Sequence, residues 1–530
     1  MPETPDPDST TTPADDHEPH RLEAQRRANR DAIAALGLNP FGSRTDRLIS
    51  LAHAASLYDP DADASYKEHA KDDGFTDTRP VARVAGRAVL HRDNGKLVWI
   101  NLRDDTGDLQ VAVSKRDCAA VGFALAKLAD LGDVLIAEGP LVKTRTGEVT
   151  IWAASLTIGV KSLAPPPEKW AGLADPELRH RKRYIDLSAN PDVMRVFKMR
   201  SAIVGRIRRF WDERGFLEVE TPVLQSRPGG AAARPFRSHL NALDIPVVMR
   251  IATELHLKRL LVGGMPRVYE LGRIFRNEGL DRQHNPEFTS IEVYEAFGDC
   301  WSMLDHTETL LRELAHYVTI QSAAPDVRPE DIDPATVRLP FGDHSIDFGA
   351  PFARIAYADL FERALGFPMT DAARARTEAT TRGLRHEGLA DAFVVNELFE
   401  AVAEPTIDPA RPTFVTDYPA AISPLTRPRR DDPALADRWD LFIGSMEIGT
   451  AYTELNDPDA QTARFREQLA GADEEEQAYR TMDEDFIDAL KVGMPPAGGL
   501  GLGVDRIVML LTNQRSIRDA ILFPFMRPAE

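Results

Sequence analysis

The chain has 530 residues, too many for a single compact core, so we expect two or three domains. Its 43% hydrophobic and 28% charged residues are typical of a globular protein, and its two cysteines, Cys118 and Cys300, are too few for a disulfide scaffold or a cysteine-based zinc site. The formal net charge of -19 does not exclude a nucleic-acid partner, because the segment 79–161 is locally basic, with twelve Lys and Arg against nine Asp and Glu.

Residues 1–20 form an acidic, proline-containing segment without Lys or Arg, which predicts a disordered tail. This segment lacks the basic and apolar regions of a signal peptide, and the chain has no apolar run long enough to span a bilayer. We therefore expect a cytoplasmic protein with no membrane partner.

The segment 21–78 is predicted to be an N-terminal helical extension. It begins with RLEAQRRANRDAIAALGLNPF, whose helical pattern ends near Gly37 and Pro40. This helix carries four arginines, Arg21, Arg26, Arg27 and Arg30. They allow two interpretations, contact with RNA or a solvated helix face.

The segment 79–162 has the pattern of a five-stranded OB-fold β-barrel, a common platform for oligonucleotides. An apolar helix near FALAKLADL follows the third of five predicted strands, which are VARVAGRAVLHR, KLVWINLRD, GDLQVAVSK, LGDVLIAEGPLV and GEVTIWAASLTIG. The proline-rich stretch 163–178 then predicts a stiff linker.

The remaining segment, 179–530, predicts an α+β domain. A helix with one buried stripe is predicted over PDVMRVFKMRSAIVGRIRRFWDERGF. The strand-like stretches that follow show no regular βαβ alternation, which favours an antiparallel sheet flanked by helices. Residues near 301–435 are mostly helical in pattern, and we interpret them as an insertion into that core.

The stretch RIFRNEGLDRQHNPEF carries the first group of candidate site residues. Arg276 and Glu278 follow an apolar strand two residues apart, so their side chains point to one face. His284 lies in the next loop, and a second strand begins at Phe288. A guanidinium suits a phosphate, a carboxylate can accept from an adenine amino group, and an aromatic ring can stack on a base. A surface Arg–Glu pair beside a core Phe is the alternative interpretation.

A second group consists of Asp440, Glu447 and Glu454, spaced by seven residues in WDLFIGSMEIGTAYTELNDP. Carboxylates that lie close together repel one another unless cations neutralise them, and Mg²⁺ with ATP phosphates or a substrate ammonium would do so. The alternative is three exposed acids on a loop, which the apolar flanking residues disfavour.

A third group lies in GGLGLGVDRIVML. Gly499, Gly501 and Gly503 alternate along a predicted strand, which clears one face so that a flat ring can lie on the backbone. Arg506 follows in the first turn of an apolar helix, where it can meet a phosphate. The glycines match neither a Walker loop nor a dinucleotide site, because the required spacing and context are missing.

In this order, the segments resemble the three motifs of class II aminoacyl-tRNA synthetases. FLEVETPVL with Pro222 resembles motif 1, which implies a homodimer, while RVYELGRIFRNEG through EFTSIEVYEAF resembles motif 2 and GLGLGVDR resembles motif 3. With an OB fold in front, GGAAARPF, ELHLKRL, HNPEF, AYTELNDP and IRDAILFPFMRP are similar to the bacterial-type lysyl-tRNA synthetases in particular. The resemblance implies an enzyme that activates L-lysine with ATP to lysyl-adenylate and transfers it to tRNA(Lys).

The resemblance also implies roles for individual residues. Those implied to bind ATP are Arg276, Glu278, His284, Phe288, Glu447, Gly503 and Arg506, of which Arg276 and Arg506 are implied to be catalytic. Those implied to bind lysine are Gly230, Glu254, Arg276, Glu292, Tyr294, Thr450, Tyr452 and Glu454. Mg²⁺ is implied at Asp440 and Glu447, and an anticodon base at Trp99, with Gln110 and Glu148 nearby.

The residue types support lysine independently, because Glu254, Glu292 and Glu454 suit a substrate with two cationic groups, whereas an aspartate pocket needs a cationic side chain. Thr450 stands where the family often has Asn, and Asp440 where it often has Glu; neither change removes a charge that the chemistry needs. Two alternatives are a paralogue that lysylates a non-tRNA acceptor and a non-catalytic binding protein on the same scaffold. The OB-fold pattern disfavours the first, and the retained charged motif residues disfavour the second.

Overall fold

The computed structural model describes residues 21–166, 175–231, 233–324, 326–470 and 483–528, with side chains up to residue 467 in the fourth range. The chain folds into two compact units, Met1–Arg179 with Tyr184–Met194 and His180–Arg183 with Arg195–Glu530. The predicted tail and residues 167–174 of the predicted linker lie outside the described residues.

The first unit contains a closed β-barrel. Its strands are β1 (Val81–Asp93), β2 (Leu97–Arg103), β3 (Asp108–Ser114), β4 (Val134–Lys143), β5 (Val149–Trp152) and β6 (Ser155–Val160). The order β1-β2-β3-β5-β4 closes into a ring because β4 also pairs with β1, and β6 adds to the other edge of β4. The prediction of a five-stranded OB-fold barrel is therefore confirmed.

The fifth predicted strand is broken into β5 and β6 at Ala153 and Ala154. Ala153 donates its N–H to the carbonyl of Ala112 on β3, whereas Ala154 donates to the carbonyl of Glu138 on β4. The backbone thus changes neighbours within one residue. The apolar alternation also changes phase here, from Ile151 and Ala153 to Leu156 and Ile158, a signal that the sequence analysis did not use.

Among the residues from 21 onwards, three helices precede the barrel, at Arg21–Ala35, Leu51–Ser56 and Pro60–His69, and a fourth at Ala120–Leu128 lies between β3 and β4. Arg26 fits neither interpretation proposed for the first helix. Its side chain is buried, and its guanidinium donates to the carbonyls of Leu131 (2.8 Å) and Ser162 (3.1 Å). This arginine fastens the helix to the end of the barrel.

The second unit is built on an eight-stranded sheet with the order β15-β16-β17-β18-β19-β12-β11-β7. All pairs in it are antiparallel except β7–β11 and β15–β16 at the two edges, which confirms the predicted α+β class. The strands are β7 (Leu217–Glu218), β11 (Arg267–Phe275), β12 (Glu287–Ala296), β15 (Ala353–Ala356), β16 (Thr413–Thr416), β17 (Arg438–Ile443), β18 (Met446–Thr453) and β19 (Ala497–Gly503). Smaller sheets are formed by β8 (Leu224–Gln225), β9 (Arg237–Leu240) and β10 (Ile245–Met249), and by β13 (Arg338–Phe341) with β14 (His344–Asp347).

Residues of the helices Pro191–Asp212, Cys300–Ser322, Val504–Leu511 and Ile517–Ala520 form the main apolar core of this unit together with the sheet. Further helices after the barrel are Pro176–Arg181, Arg183–Ala189, Glu254–Val262, Tyr357–Leu365, Ala372–Arg382, Asp391–Leu398, Pro458–Ala470 and Glu484–Gly493. The region near 301–435 differs from a helical insertion, because it also supplies β15 and β16 to the central sheet. Its three helices between 357 and 398 do form a separate apolar cluster with Phe399.

The register of β12, β18 and β19 decides which side chains share the open face of the sheet. Glu292 pairs with Gly501 and Gly501 with Thr450, while Tyr294 pairs with Gly499 and Gly499 with Tyr452. Residues paired in this way point to the same face. The alternate residues of these strands are buried in the core on the opposite face: Ile291, Val293, Ala451, Leu500 and Leu502.

Candidate active site

A cavity of about 440 Å³ lies on the open face of β12, β18 and β19. Of the site residues predicted outside the barrel, all but Asp440 and Glu454 line it: Gly230, Glu254, Arg276, Glu278, His284, Phe288, Glu292, Tyr294, Glu447, Thr450, Tyr452, Gly503 and Arg506. The three separate sequence groups thus meet at one place. The two exceptions lie behind the wall of the cavity, where Asp440 forms an ion pair with Arg438 and Glu454 forms one with Lys258.

One end of the cavity is acidic and is centred on Glu292. Its carboxylate accepts the N–H of Thr253 (3.0 Å) and the hydroxyl of Tyr294 (3.4 Å). Burial, together with the charge of the neighbouring Glu254, raises the pKa of Glu292 to about 7. A carboxyl group of this kind exchanges its proton near neutral pH and is well suited to receive an ammonium group.

Lys258 is a fully buried cation at this acidic end that the sequence analysis missed. Its ammonium lies 2.6 Å from a carboxylate oxygen of Glu254, one turn earlier on the same helix, and also contacts the carboxylate of Glu454. Burial alone would lower the pKa of Lys258, but the two carboxylates outweigh burial and raise the pKa. The lysine therefore remains charged and neutralises part of the acidic group.

The position of Glu454 follows from this ion pair and from a glycine. Glu454 is completely buried, and burial raises the pKa of its carboxyl group while Lys258 opposes the rise. A Cβ at Gly499 would lie only 1.8 Å from its Oε1 and 2.6 Å from Cε1 of Tyr294. The missing side chain at Gly499 is what allows Glu454 and Tyr294 to approach each other across the strand.

The other end of the cavity is basic. Arg506, in the first turn of helix Val504–Leu511, places one guanidinium nitrogen 3.0 Å from Nε2 of His284 and donates through the other to the carbonyl of Glu447 (2.6 Å). The imidazole Nδ1 of His284 lies 2.7 Å from a carboxylate oxygen of Asp281. Residues from two distant motifs thus form one group able to hold an anion, and Asp281 is a supporting residue that the sequence analysis did not identify.

Between these ends lie Arg276 and Phe288, at the end of β11 and the start of β12. The guanidinium of Arg276 lies 5.4 Å from the ring centroid of Phe288, and its Nε is 3.4 Å from the carbonyl of Ile251. Glu278 follows two residues after Arg276 and is exposed at the cavity. The surface-pair interpretation therefore does not hold, because all three side chains line the same cavity.

Asp440 has a different environment from the one predicted for a metal ligand. Its carboxylate receives two hydrogen bonds from Arg438 (3.0 and 2.7 Å) and one from Thr450 (2.5 Å). Two of the three acids spaced by seven residues are thus neutralised by Arg438 and Lys258. Glu447 alone of the three lines the cavity, and no cluster of three or more metal-binding side chains occurs in the part of the chain that the structure describes.

The residues predicted for the barrel lie together on its outer face. Gln110 on β3 donates to Glu148 (2.8 Å), and its amide oxygen accepts the hydroxyl of Thr150 (2.9 Å). Trp99 lies on the same face of β2, two residues before Asn101, which pairs with Gln110 on β3.

None of the described helices is long and apolar enough to cross a membrane.

Comparisons with known proteins agree with both units. Residues 175–527 match the model of the family "tRNA synthetases class II (D, K and N)", and residues 82–158 match that of an OB-fold nucleic acid binding domain. Similar proteins include lysine–tRNA ligases from Anaeromyxobacter sp. (strain K), 44% identical over 95% of this chain and 97% of the relative, and Leuconostoc mesenteroides, 43% identical with the same coverage. Another, from Enterococcus faecalis, is 41% identical over 95% of this chain and 96% of the relative. The chain therefore belongs to the class II aminoacyl-tRNA synthetases, within the lysine–tRNA ligase family.

Proposed function

We propose that this cavity activates L-lysine with ATP to lysyl-adenylate and then transfers the lysyl group to tRNA(Lys). The observation that carries the proposal is the polarity of the cavity, with Glu254 and Glu292 at one end and Arg506 with His284 at the other. An amino acid with two ammonium groups fits the acidic end, and a triphosphate fits the basic end.

In this proposal lysine lies along the face of β12 and β18. Gly230 and Glu254 receive its α-amino group, and Tyr294 with the buried Glu454 receives its ε-ammonium, with Glu292 beside it. Thr450 and Tyr452 form the wall on the neighbouring strand. The ε-ammonium would approach an acid that Lys258 already contacts, so the two cations share the negative charge of the pocket.

ATP is assigned to the basic end and the middle of the cavity. Arg506 and His284 would hold the γ-phosphate, while Glu278 accepts from the adenine amino group and Phe288 stacks on the base above the bare strand at Gly503. Arg276 lies between the two substrates, where it would hold both the lysine carboxylate and the α-phosphate.

The reaction needs no nucleophile from the protein. The lysine carboxylate attacks the α-phosphate in line, pyrophosphate leaves, and a terminal hydroxyl of the tRNA then attacks the adenylate carbonyl and releases AMP. The protein contributes position and positive charge, which together account for most of the acceleration in phosphoryl and adenylyl transfer. Arg276 and Arg506 are therefore the residues to which we assign catalysis.

Mg²⁺ is assigned to Glu447, with Asp440 behind it. Mg²⁺ usually takes one or two protein carboxylates and completes its shell with phosphate oxygens and water. Glu447 fits this role because its side chain is exposed at the cavity beside Arg506, where an ion bound to the phosphates could reach it. The ion would neutralise negative charge on the phosphates.

The barrel is assigned to the anticodon, where a base would stack on Trp99 and be recognised by Gln110 and Glu148. We also propose that the enzyme is a homodimer that works in the cytoplasm, where ATP and tRNA are supplied. Dimerisation is supported by exposed apolar side chains in and beside the motif 1 segment: Leu217, Val223, Leu224, Leu243 and Ile245.

The proposal is tested by ATP–pyrophosphate exchange measured with each amino acid in turn, followed by charging of tRNA(Lys). We expect exchange with lysine and not with aspartate or asparagine, the substrates of the related synthetases in the matched family model. Strong exchange with either of these would contradict the assignment of the acidic end. Exchange with lysine but no transfer to tRNA would contradict the assigned acceptor.

A further inference from the structure

Trp152, a residue that the proposed function does not use, lies next to Trp99 on the outer face of the barrel. The centroids of the two indole rings are 6.4 Å apart, and their planes are inclined at 83°. Trp99 pairs with Ala112 on β3, and Ala112 pairs with Trp152 on β5. The two rings therefore stand on either side of Ala112, which they help to bury completely.

The orientation of Trp152 is fixed by a hydrogen bond. Its indole N–H donates to a carboxylate oxygen of Asp117 (3.0 Å), and the other oxygen of Asp117 lies 2.7 Å from the guanidinium of Arg116. A ring held in one orientation loses little conformational entropy when a flat ligand stacks on it. The half-buried indole is thus held ready for stacking.

A row of polar side chains runs beside the two indoles. Asn101, Gln110 and Thr150 pair with one another across β2, β3 and β5. They lie two residues after Trp99 on β2 and two residues before Ala112 and Trp152 on β3 and β5. The side-chain oxygen of Asn101 is buried and receives no hydrogen bond within the described ranges. The face thus carries an aromatic row next to a row of amides and a hydroxyl.

We propose that Trp152 is a second base-stacking residue, which binds an unstacked nucleotide of the tRNA next to the nucleotide on Trp99. Base stacking on aromatic side chains is the main way in which OB folds hold single-stranded nucleic acid, and the polar row can reach base edges. Because the rings are nearly perpendicular, the two bases would be turned away from each other, as in a splayed loop. This inference rests on the proposed anticodon role of the barrel.

The test compares Trp152→Leu, which covers Ala112 without an aromatic face, with Trp152→Phe, which keeps one. Both are made in the full chain, and the affinity for tRNA(Lys) is measured by filter binding. We expect Trp152→Leu to weaken binding about 5-fold to 150-fold, the range for loss of one stacked base, and Trp152→Phe to retain most of the affinity. Lysine-dependent ATP–pyrophosphate exchange should be unchanged in both, since the exchange reaction does not use the barrel.

A second measurement separates stacking from mere support of Trp99. Affinities are measured for tRNAs in which one anticodon-loop base at a time is replaced by an abasic nucleotide, with the wild type, Trp152→Leu and Trp99→Leu. We expect Trp152→Leu to cause no further loss of affinity when the tRNA lacks one particular anticodon-loop base, because that base can no longer stack. Trp99→Leu should cause no further loss when the tRNA lacks a different base. Coupling of both substitutions to the same position, or none for Trp152, would overturn the inference. Absence of any coupling for Trp99 would instead contradict the anticodon role of the barrel.

Discussion

Lys258 determines the charge of the proposed lysine pocket. Glu254 and Glu454 approach the same ammonium, so without it two buried carboxylates would face each other with no counter-charge. One of them would then take up a proton, because isolated charges are costly to bury. A pocket that has lost a negative charge attracts an ammonium substrate less strongly.

We predict that Lys258→Met lowers stability by about 3–5 kcal/mol, the range for removing one partner of a buried ion pair, and raises KM for lysine more than it changes kcat. Thermal unfolding and lysine-dependent exchange measure the two effects. Arg259→Met is the matched control, because Arg259 is the next residue of the same helix and its partner is Asp483, which lies outside the pocket. Equal KM values in the two variants would contradict the role of Lys258.

Glu292 gives the pocket a pH dependence. Its folded-state pKa of about 7 lies above the ordinary value of 4.5, since burial favours the neutral form. Below this pH the carboxyl group carries a proton that an incoming ammonium must displace, and above it the carboxylate is already charged. Glu254 adds to the rise in pKa, while the N–H of Thr253 and the guanidinium of Arg276 oppose it.

We therefore expect KM for lysine to fall as the pH rises towards about 7 and then to level off, by up to about tenfold per pH unit on the acid side. Glu292→Gln keeps the shape and the hydrogen-bonding capacity of the side chain but cannot ionise, so its KM should be higher and nearly independent of pH in this range. The measurement is the KM for lysine in the exchange reaction across pH values around 7. A wild-type KM that does not change with pH would contradict this assignment.

Lys258 shows what the sequence could not reveal about the environment of a single residue. The motif residues were predictable because each motif is a continuous run whose members end at one site. Lys258 and Glu254 have the spacing of an ordinary surface pair on a helix, and the second partner of Lys258, Glu454, lies far along the chain. Only the fold shows that the pair is buried, and hence that it is part of the pocket.

At the scale of elements, the close pairing of β12, β19 and β18 makes the site. Pairing of Tyr294 with Gly499 and of Gly499 with Tyr452 brings two tyrosines to either side of β19, whose glycines leave this face without side chains. The strand alternation and its glycines were visible in the sequence. The partners across the sheet were not, because register depends on contacts between segments that are far apart in the chain.

Gly499→Ala tests this arrangement. The new Cβ would meet the carboxylate of Glu454 at 1.8 Å, so either the strand or the ion pair must shift. We expect a loss of about 1–3 kcal/mol in stability, typical of overpacking, together with a higher KM for lysine. Gly501→Ala is the control for stability, because the nearest atom to its Cβ, in Glu292, lies 4.0 Å away. If both variants unfold at the wild-type temperature, the close packing at Gly499 is not required.

Short strands explain the element-level errors. β15 and β16 have four residues each and lie among helices, so the region near 301–435 had no alternation long enough to indicate strands. The break between β5 and β6 arises because the backbone changes its hydrogen-bonding neighbour. The pairing of β15 with β16 depends on tertiary contacts rather than on local pattern.

At the scale of the whole molecule, the net charge of -19 and the locally basic barrel segment are both compatible with binding of tRNA. An acidic protein that must bind tRNA needs its positive charge where the RNA lies, and acidic surfaces elsewhere repel the RNA from unproductive positions. The average charge therefore says little about the partner. The distribution along the chain, visible in the sequence, says more.

Exposed apolar side chains in the motif 1 segment support the proposed assembly of two chains. Leu217 on β7 and Leu224 on β8 are each 53% exposed, and Val223 beside Leu224 is 39% exposed. Several exposed apolar side chains in one segment are typical of a surface that binds another protein. All three lie in the segment that resembles motif 1. A second copy of the same chain would cover these residues in a symmetric, self-complementary contact.

We predict that the protein sediments at twice its chain mass of 58.8 kDa and that Leu224→Asp shifts it towards the monomer, because a buried unpaired carboxylate in an apolar interface is costly. Val492→Asp is the matched control. Val492 is 78% exposed but lies on helix Glu484–Gly493, outside the motif 1 segment, so the same charge there should leave the dimer intact. Sedimentation velocity over a range of concentrations, with exchange activity measured in parallel, distinguishes the variants. If Leu224→Asp remains a dimer while Val492→Asp dissociates, the interface lies on the other surface and the motif 1 assignment is wrong.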